Sequence, residues 1–188
     1  MLCWANENWS RRWDGKDAEV LLKQEYSQED HRAHASFLAQ NVFNDDRYIK
    51  IDGKPFFLFY NTHIIPDLNK TIETWRTEVR KHGFDDIYLG GIRTSQHALQ
   101  HPESYDFDVV IDWQPDWDNL NTHPTKLNKL GASLGFNKLY RKDNYAQVVK
   151  RMKAKETPKF KYMPSIFPSW DNAARRKTNA MIVEGSTP

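Results

Sequence analysis

Short apolar runs alternate with amphipathic stretches from one end of this chain to the other, and that alternation restricts its fold more than any other feature. Residues 2–5 read as the end of a buried strand. Ser27 offers an N-cap, with Asp30 three residues on, for a helix over about 28–44 with Phe37, Leu38, Asn41 and Val42 on one face. Residues 48–51, the turn Asp52-Gly53-Lys54 and the run 56–60 read as a hairpin whose second strand is buried on both faces. Ile72, Trp75 and Val79 mark the next helix, which Gly83 ends. A strand over 87–92, a short helix near 96–100 and a strand over 109–111 follow. A long polar loop from Asp116 to about Gly135 comes next. Tyr145, Val148, Val149 and Met152 then define a helix face, and 162–167 is the fifth strand.

Strands alternating with helices imply an α/β fold with a parallel sheet. About five strand–helix units in 188 residues suit either an open doubly wound sheet or part of an eight-fold barrel. No Gly-x-Gly-x-x-Gly or phosphate-binding Gly-Lys-Ser/Thr loop occurs, so a nucleotide fold has no support. What favours a partial (β/α)₈ TIM-type barrel, as one incomplete domain over 1–188 with no linker, is the crowding of polar and aromatic residues after every strand.

Those strand ends carry the chemistry. Asn6, Glu7, Asn8 and Trp9 follow the first, and Tyr60, Asn61 and His63 the second. Gly90, Gly91 and Arg93 mark the third; Asp112, Trp113, Gln114 and Trp117 the fourth; Ser169, Trp170, Asp171 and Asn172 the fifth. Six of the seven tryptophans fall in or beside these segments, leaving Trp75 on a helix face. The densest cluster is residues 3–15, where Trp4, Trp9 and Trp13 sit among Asn6, Glu7, Asn8, Arg11 and Arg12. A packed core has little use for so many hydrogen-bonding groups between large aromatics. A sugar site does, because pyranose C–H faces lie on aromatic rings while hydroxyls seek carboxylate, amide and guanidinium partners. The expected substrate-binding set is Asn6, Glu7, Asn8, Trp9, Arg12, Trp13, Tyr60, Trp113, Trp170, Asp171 and Asn172.

Glycosyl chemistry usually needs two carboxylates, and Glu7, Asp112 and Asp171 are the candidates. Each has a plainer alternative. Asp171 could cap a helix holding Arg175 and Arg176, or pair with one of them. Asp112 could be a satisfied strand-end carboxylate, and Glu7 could orient a hydroxyl without moving a proton. Arg11 and Arg12 suit a donor phosphate, or an ion pair with Asp14 or Asp17. His97 and His101 lack a third ligand, so a solvated helix face is the better reading, and likewise for His31 and His34. Cys3 reads as a small buried apolar residue.

Composition narrows the partners. A formal charge of +2, from 27 basic and 25 acidic residues well mixed along the chain, gives no stripe for nucleic acid. One cysteine excludes an internal disulfide and a cysteine-based zinc site. No stretch approaches the roughly eighteen apolar residues of a membrane span. The opening Met-Leu-Cys-Trp-Ala-Asn lacks the basic and apolar regions of a signal peptide, and a cytoplasmic location is the expectation. No metal or cofactor is expected. The expected partner is an oligo- or polysaccharide, with an activated sugar as the possible donor.

The segments Cys-Trp-Ala-Asn-Glu-Asn-Trp-Ser-Arg-Arg-Trp-Asp-Gly (3–15), Arg-Tyr-Ile-Lys-Ile-Asp-Gly-Lys-Pro (47–55) and Trp-Asp-Asn-Ala-Ala-Arg-Arg (170–176) resemble the WbsX family. These are bacterial proteins of surface-polysaccharide loci, related to glycoside hydrolase family 99. The resemblance spans essentially the whole chain. It implies a (β/α)₈ barrel that transfers or hydrolyses glycosidic bonds, with this chain supplying strands three to seven of eight. It also implies that the acid/base pair lies on a strand beyond Pro188, which lowers Glu7 to a binding or supporting role. The alternatives are a non-catalytic carbohydrate-binding remnant or a degraded reading frame. An incomplete barrel has two open edges, so the chain alone is expected to fold poorly unless another chain completes it.

Overall fold

The structure is a computed structural model that describes residues 1–11, 16–94, 104–121, 130, 133–134, 141–176 and 180–186. The expected helix near 96–100, together with His97, His101, Arg12 and Trp13, lies outside the described residues. The chain divides into two compact units, each assembled from three separate segments, so no single linker separates them.

The first unit (residues 1–7, 24–113 and 158–164) is built on a parallel sheet. Its strands are β1 (Leu2–Trp4), β5 (Lys54–Phe59), β6 (Tyr88–Arg93), β7 (Val109–Asp112) and β9 (Tyr162–Met163), in the order β1-β5-β6-β7-β9. The short β4 (Lys50–Ile51) pairs antiparallel with β5 through the expected turn, in which Asp52 (φ 50°) and Gly53 (φ 75°) both have positive φ. Two such residues are what a two-residue hairpin of matching twist requires.

The unbroken apolar run of β5 follows from burial on both faces, as parallel sheets demand. Phe57 and Phe59 pack with α1 (Gln28–Asn41) and α2 (Leu68–Lys81), while Phe56 and Leu58 join Tyr88, Ile92 and Val109 on the other face. Gly90 sits within that second layer. A methyl group there would come 2.5 Å from Leu58 Cδ2 and 3.2 Å from the Phe56 ring. Helix α2 buries Leu68, Ile72, Trp75 and Val79 at the expected spacing, and Trp75 stacks on Phe57 at 4.6 Å.

Several expectations need correcting. Helix α1 starts at the Ser27 cap, whose side chain accepts from the Asp30 N–H, but it buries His31, Ala35, Leu38 and Ala39. Phe37 is 59 % exposed and Asn41 also faces solvent, so the face is rotated from the expected one. The reason is His31, which is buried, with His34 partly covered, in an aromatic cluster around Trp4 and Trp75. Neither is a solvated helix-face histidine. Strand β1 pairs with β5 alone among the described strands, so Leu2 and Cys3 are exposed rather than buried.

The second unit (residues 8–23, 114–157 and 165–188) holds an antiparallel hairpin, β2 (Trp9–Arg11) with β3 (Lys16–Leu22). It also holds a mixed three-stranded sheet in the order β10-β11-β8: β10 (Trp170–Asp171), β11 (Met181–Glu184) and β8 (Arg141–Asn144). Helix α3 (Tyr145–Lys153) carries the expected face, and its Val148 packs with Leu120, Met181 and Val183. The expected strand over 162–167 is ladder-paired only at Tyr162–Met163. Trp170-Asp171 therefore belongs to a different sheet and does not follow the fifth parallel strand. The strands of this sheet are two to four residues long, and β8 (Arg-Lys-Asp-Asn) has no apolar alternation to announce it. The described strands establish a mixed α/β fold with a parallel sheet.

Candidate functional site

At the carboxyl end of β1 the backbone ladder with β5 stops, and a side chain continues it. The Tyr60 N–H donates to the Trp4 carbonyl at 3.2 Å. One step on, Asn6 Oδ1 accepts from the Asn61 N–H at 2.8 Å, while Asn6 Nδ2 donates to the Asn61 carbonyl at 2.8 Å. The carboxamide thus stands in for one more peptide unit of the ladder. Tyr26 closes the clasp: its hydroxyl donates to the Asn6 carbonyl at 2.7 Å and lies 3.2 Å from Asn6 Nδ2. Burial raises the Tyr26 phenol above its ordinary value. Asn6 is fully buried, so its role is to lock the ends of β1 and β5 together.

Glu7, next in the chain, is half-buried and accepts at Oε1 from Asn61 Nδ2 at 2.7 Å. A carboxylate can only accept, which fixes the orientation of the Asn61 amide and leaves Oδ1 as its acceptor end. Tyr60 and Trp113, from the ends of β5 and β7, meet edge to face with centroids 5.1 Å apart and planes at 71°. They extend the Phe56–Leu58–Ile92 layer toward the strand ends. Glu7, Asn61, Tyr60 and Trp113 therefore belong to one unit and to the carboxyl ends of its parallel strands.

The other candidates are more committed. Asp112 Oδ1 accepts from Arg93 Nε at 2.8 Å and from Arg93 Nη2 at 2.5 Å, and the Arg93 guanidinium lies 5.8 Å from the Phe160 ring centroid. That geometry matches the plainer reading of Asp112, a satisfied strand-end carboxylate. Gly90 and Gly91 lie within β6 rather than beyond it. His63 is exposed on a short 3₁₀ turn (Thr62–Ile64).

In the second unit, Asn8 is exposed, and Trp9 is 64 % exposed on the β2–β3 hairpin across from Leu22. Arg11 pairs with Glu19 at 3.2 Å, while Asp14 and the side chain of Asp17, the partners expected for it, lie outside the described residues. Trp170 packs edge to face on Trp117 at 5.7 Å. Asp171 accepts from the Ala173 N–H at 2.7 Å, and Asn172 Oδ1 from the Met181 N–H at 2.8 Å. Asp171 and Asn172 therefore hold the turn into β11.

Sequence reasoning missed two residues. Tyr26 sits in a linker before α1, with nothing local to mark it. Asp116 is buried and accepts from Lys155 Nζ at 2.7 Å, Asn119 Nδ2 at 2.8 Å and the Asp118 N–H at 3.1 Å. Burial alone would push its carboxyl up, but these bonds and the Lys155 charge hold it below its ordinary value. At the opposite, amino-terminal ends of the strands, buried Arg76 joins Asp86, Asp106 and Asp108 at 2.8 to 2.9 Å. Burial opposes its charge, and the three carboxylates more than compensate. Among the described residues no cluster of three or more His, Cys, Asp or Glu is placed to hold a metal, and no helix is long and apolar enough to cross a membrane.

Comparison with known proteins adds the lineage. Residues 1–188 match the family model described as Glycosyltransferase WbsX. The chain is 28 % identical over 189 residues to a protein named "Uncharacterized protein WxcX" from Xanthomonas campestris pv. campestris strain B100. It is 27 % identical over 190 residues to the WxcX protein of another strain of that pathovar. Both alignments take in 100 % of this chain and 26 % of the relative, so the chain spans about a quarter of the length of these proteins. Among solved structures, a "Glycoside hydrolase-like protein" superposes with a TM-score of 0.46 at 19 % identity, over 81 % of this chain and 42 % of the other. With a family model matched from the first residue to the last, the chain belongs to the Glycosyltransferase WbsX family.

Proposed function

We propose that this chain supplies the sugar-binding side of a carbohydrate-active site that transfers or hydrolyses glycosidic bonds in surface-polysaccharide metabolism. The observation that carries this reading is the pairing of an aromatic corner (Tyr60, Trp113) with a fixed carboxylate–carboxamide pair (Glu7, Asn61) at the carboxyl ends of one parallel sheet. Ligands of such sheets bind at that end. A pyranose ring stacks on the aromatic corner, and its hydroxyls donate to Glu7. Asn6 acts through Glu7 and Asn61 as a positioning residue. Asn8, Trp9, Arg12, Trp13, Trp170, Asp171 and Asn172 remain proposed sugar-binding residues of the second unit, and an oligo- or polysaccharide, with an activated sugar donor in the transferase case, is the proposed ligand.

A second reading, carbohydrate binding without an acid/base pair in this chain, is favoured by the commitment of Asp112 to Arg93 and of Asp171 to the Ala173 N–H. A glycan array probed with the 188-residue chain tests the first point. Wild type is expected to bind a subset of glycans, Trp113→Ala to lose them, and Trp113→Tyr to retain them. Absence of binding to every glycan by a chain that unfolds cooperatively would sink both readings. Binding that survives Glu7→Gln, with no turnover of the bound glycan, would favour the second.

A further inference from the structure

Along α2, Asn69, Glu73, Arg76 and Arg80 recur at i, i+4, i+7 and i+11, which sets them in one row. Ser104, Tyr105 and Asp106, just before β7, complete with that row the lining of a cavity of about 430 Å³. It is open to solvent, since Asn69, Glu73 and Ser104 are exposed and Tyr105 is half-buried. Ligand pockets run from roughly 300 to 1,000 Å³. The cavity is separate from the strand-end corner: α2 and Tyr105 pack with the Phe57–Phe59 layer, whereas Tyr60 and Trp113 pack with the opposite one. Its floor is fixed by Arg76, more than nine-tenths buried and bonded to Asp86, Asp108 and two carbonyls. Both lining cations are matched, Arg76 by Asp106 at 2.8 Å and Arg80 by Asp86 at 3.2 Å. By contrast, the side chains of Asn69, Glu73, Ser104 and Tyr105 make no hydrogen bond or ion pair with another described residue.

We propose that this cavity is a second saccharide-binding site, away from the strand ends, that takes a neutral pyranose. Ring hydroxyls donate to Glu73, and the Asn69 amide and Ser104 hydroxyl each donate and accept. Tyr105 supplies aromatic surface for a C–H face of the ring. An anionic ligand meets no uncommitted cation in this wall, and the lining charges, two arginines against Glu73 and Asp106, balance. A metal ion finds no set of three ligands among the described residues. None of these groups belongs to the strand-end site, so either site can stand without the other.

The test is a solution titration of the 188-residue chain, followed by the NMR signals of the Tyr105 ring, the Asn69 side-chain amide and the Trp113 indole. The probes are the neutral methyl glycosides of glucose, mannose and galactose, with glucuronate and glucosamine as charged comparisons. At least one neutral glycoside is expected to shift Tyr105 and Asn69 saturably, with a Kd on the order of millimolar for a ligand of this size. Glu73→Gln, which loses no partner within the fold, should bind roughly tenfold more weakly at an unchanged unfolding midpoint. Contacts this weak wash off a glycan array, so Trp113→Ala should keep the Tyr105 shift even where it loses array binding. Shifts at Tyr105 with Trp113 silent would support this site and count against the strand-end reading; shifts at Trp113 alone would do the reverse. Tighter binding of glucuronate or glucosamine than of every neutral glycoside would overturn the proposal. So would Glu73→Gln binding like wild type, or a cooperatively unfolding chain that shows no saturable shift at Tyr105.

Discussion

Asn6 and Glu7 are neighbours with similar polarity, yet the structure gives them opposite tasks. Asn6 is spent on the backbone of a strand end 55 positions away, and Glu7 remains half-exposed beside Asn61. Sequence alone marks both as polar residues after a strand, because the partner that separates them is remote along the chain. Removing the Asn6 amide orphans the N–H and C=O of Asn61, so Asn6→Ala should cost roughly 2–3 kcal/mol in denaturant unfolding. Arg76 is the corresponding residue at the other end of the sheet. It also donates to the Ile87 and Asp106 carbonyls at 2.8 and 2.6 Å, tying α2 to the starts of β6 and β7. Its loss takes the buried cation from Asp108 and leaves Asp86 with Arg80, and Arg76→Ala should destabilise by about 3–5 kcal/mol. Arg76→Lys should recover little, since an ammonium cannot span three carboxylates and two carbonyls. An arginine on a helix face gives no hint in sequence of its burial.

At the scale of elements, α2, α3, β5, β6 and β7 were legible because each has a clean period or an unbroken apolar run. Helix α1 was legible in extent but not in orientation, since its buried face uses two histidines where a hydrophobic pattern would show aliphatic side chains. The second-unit sheet was illegible because its strands are too short to carry any period. The packing of β6 against β5 makes a sharp prediction at Gly90, where an added methyl meets side chains of the buried layer. Gly90→Ala should lower stability by roughly 1–3 kcal/mol through overpacking. A thermal midpoint equal to wild type would show that Leu58 can move aside.

On the scale of the whole molecule, each unit has its own acid-sensitive group. His31 in the first is held below its ordinary 6.5, chiefly by burial and secondarily by His34, with Asp30 opposing. A histidine whose pKa is depressed on folding contributes its full stability above the unfolded value and loses it as pH falls toward the folded one. The first unit should therefore weaken as pH drops below about 6.5, and His31→Phe should flatten that slope. Asp116 in the second unit is held below its ordinary 3.8, so its contribution persists to lower pH and disappears only near and below that value. Urea unfolding at a series of pH values, followed by aromatic signals of each unit, should show two separate windows. A single window shared by both would contradict the assignment.

The interleaving of the two units also sets an order of events during synthesis. Strand β9 lies beside β7 in the sheet but follows Asp112 by fifty residues, from 112 to 162. At about 5–20 residues per second the ribosome needs several seconds to deliver it. Through that interval the growing chain displays the edge of β7, with Val109 and Val110, while most of the second unit is still being made. The nascent protein is therefore most exposed to chaperones, and to mispairing with its neighbours on a polysome, between its fourth parallel strand and its fifth.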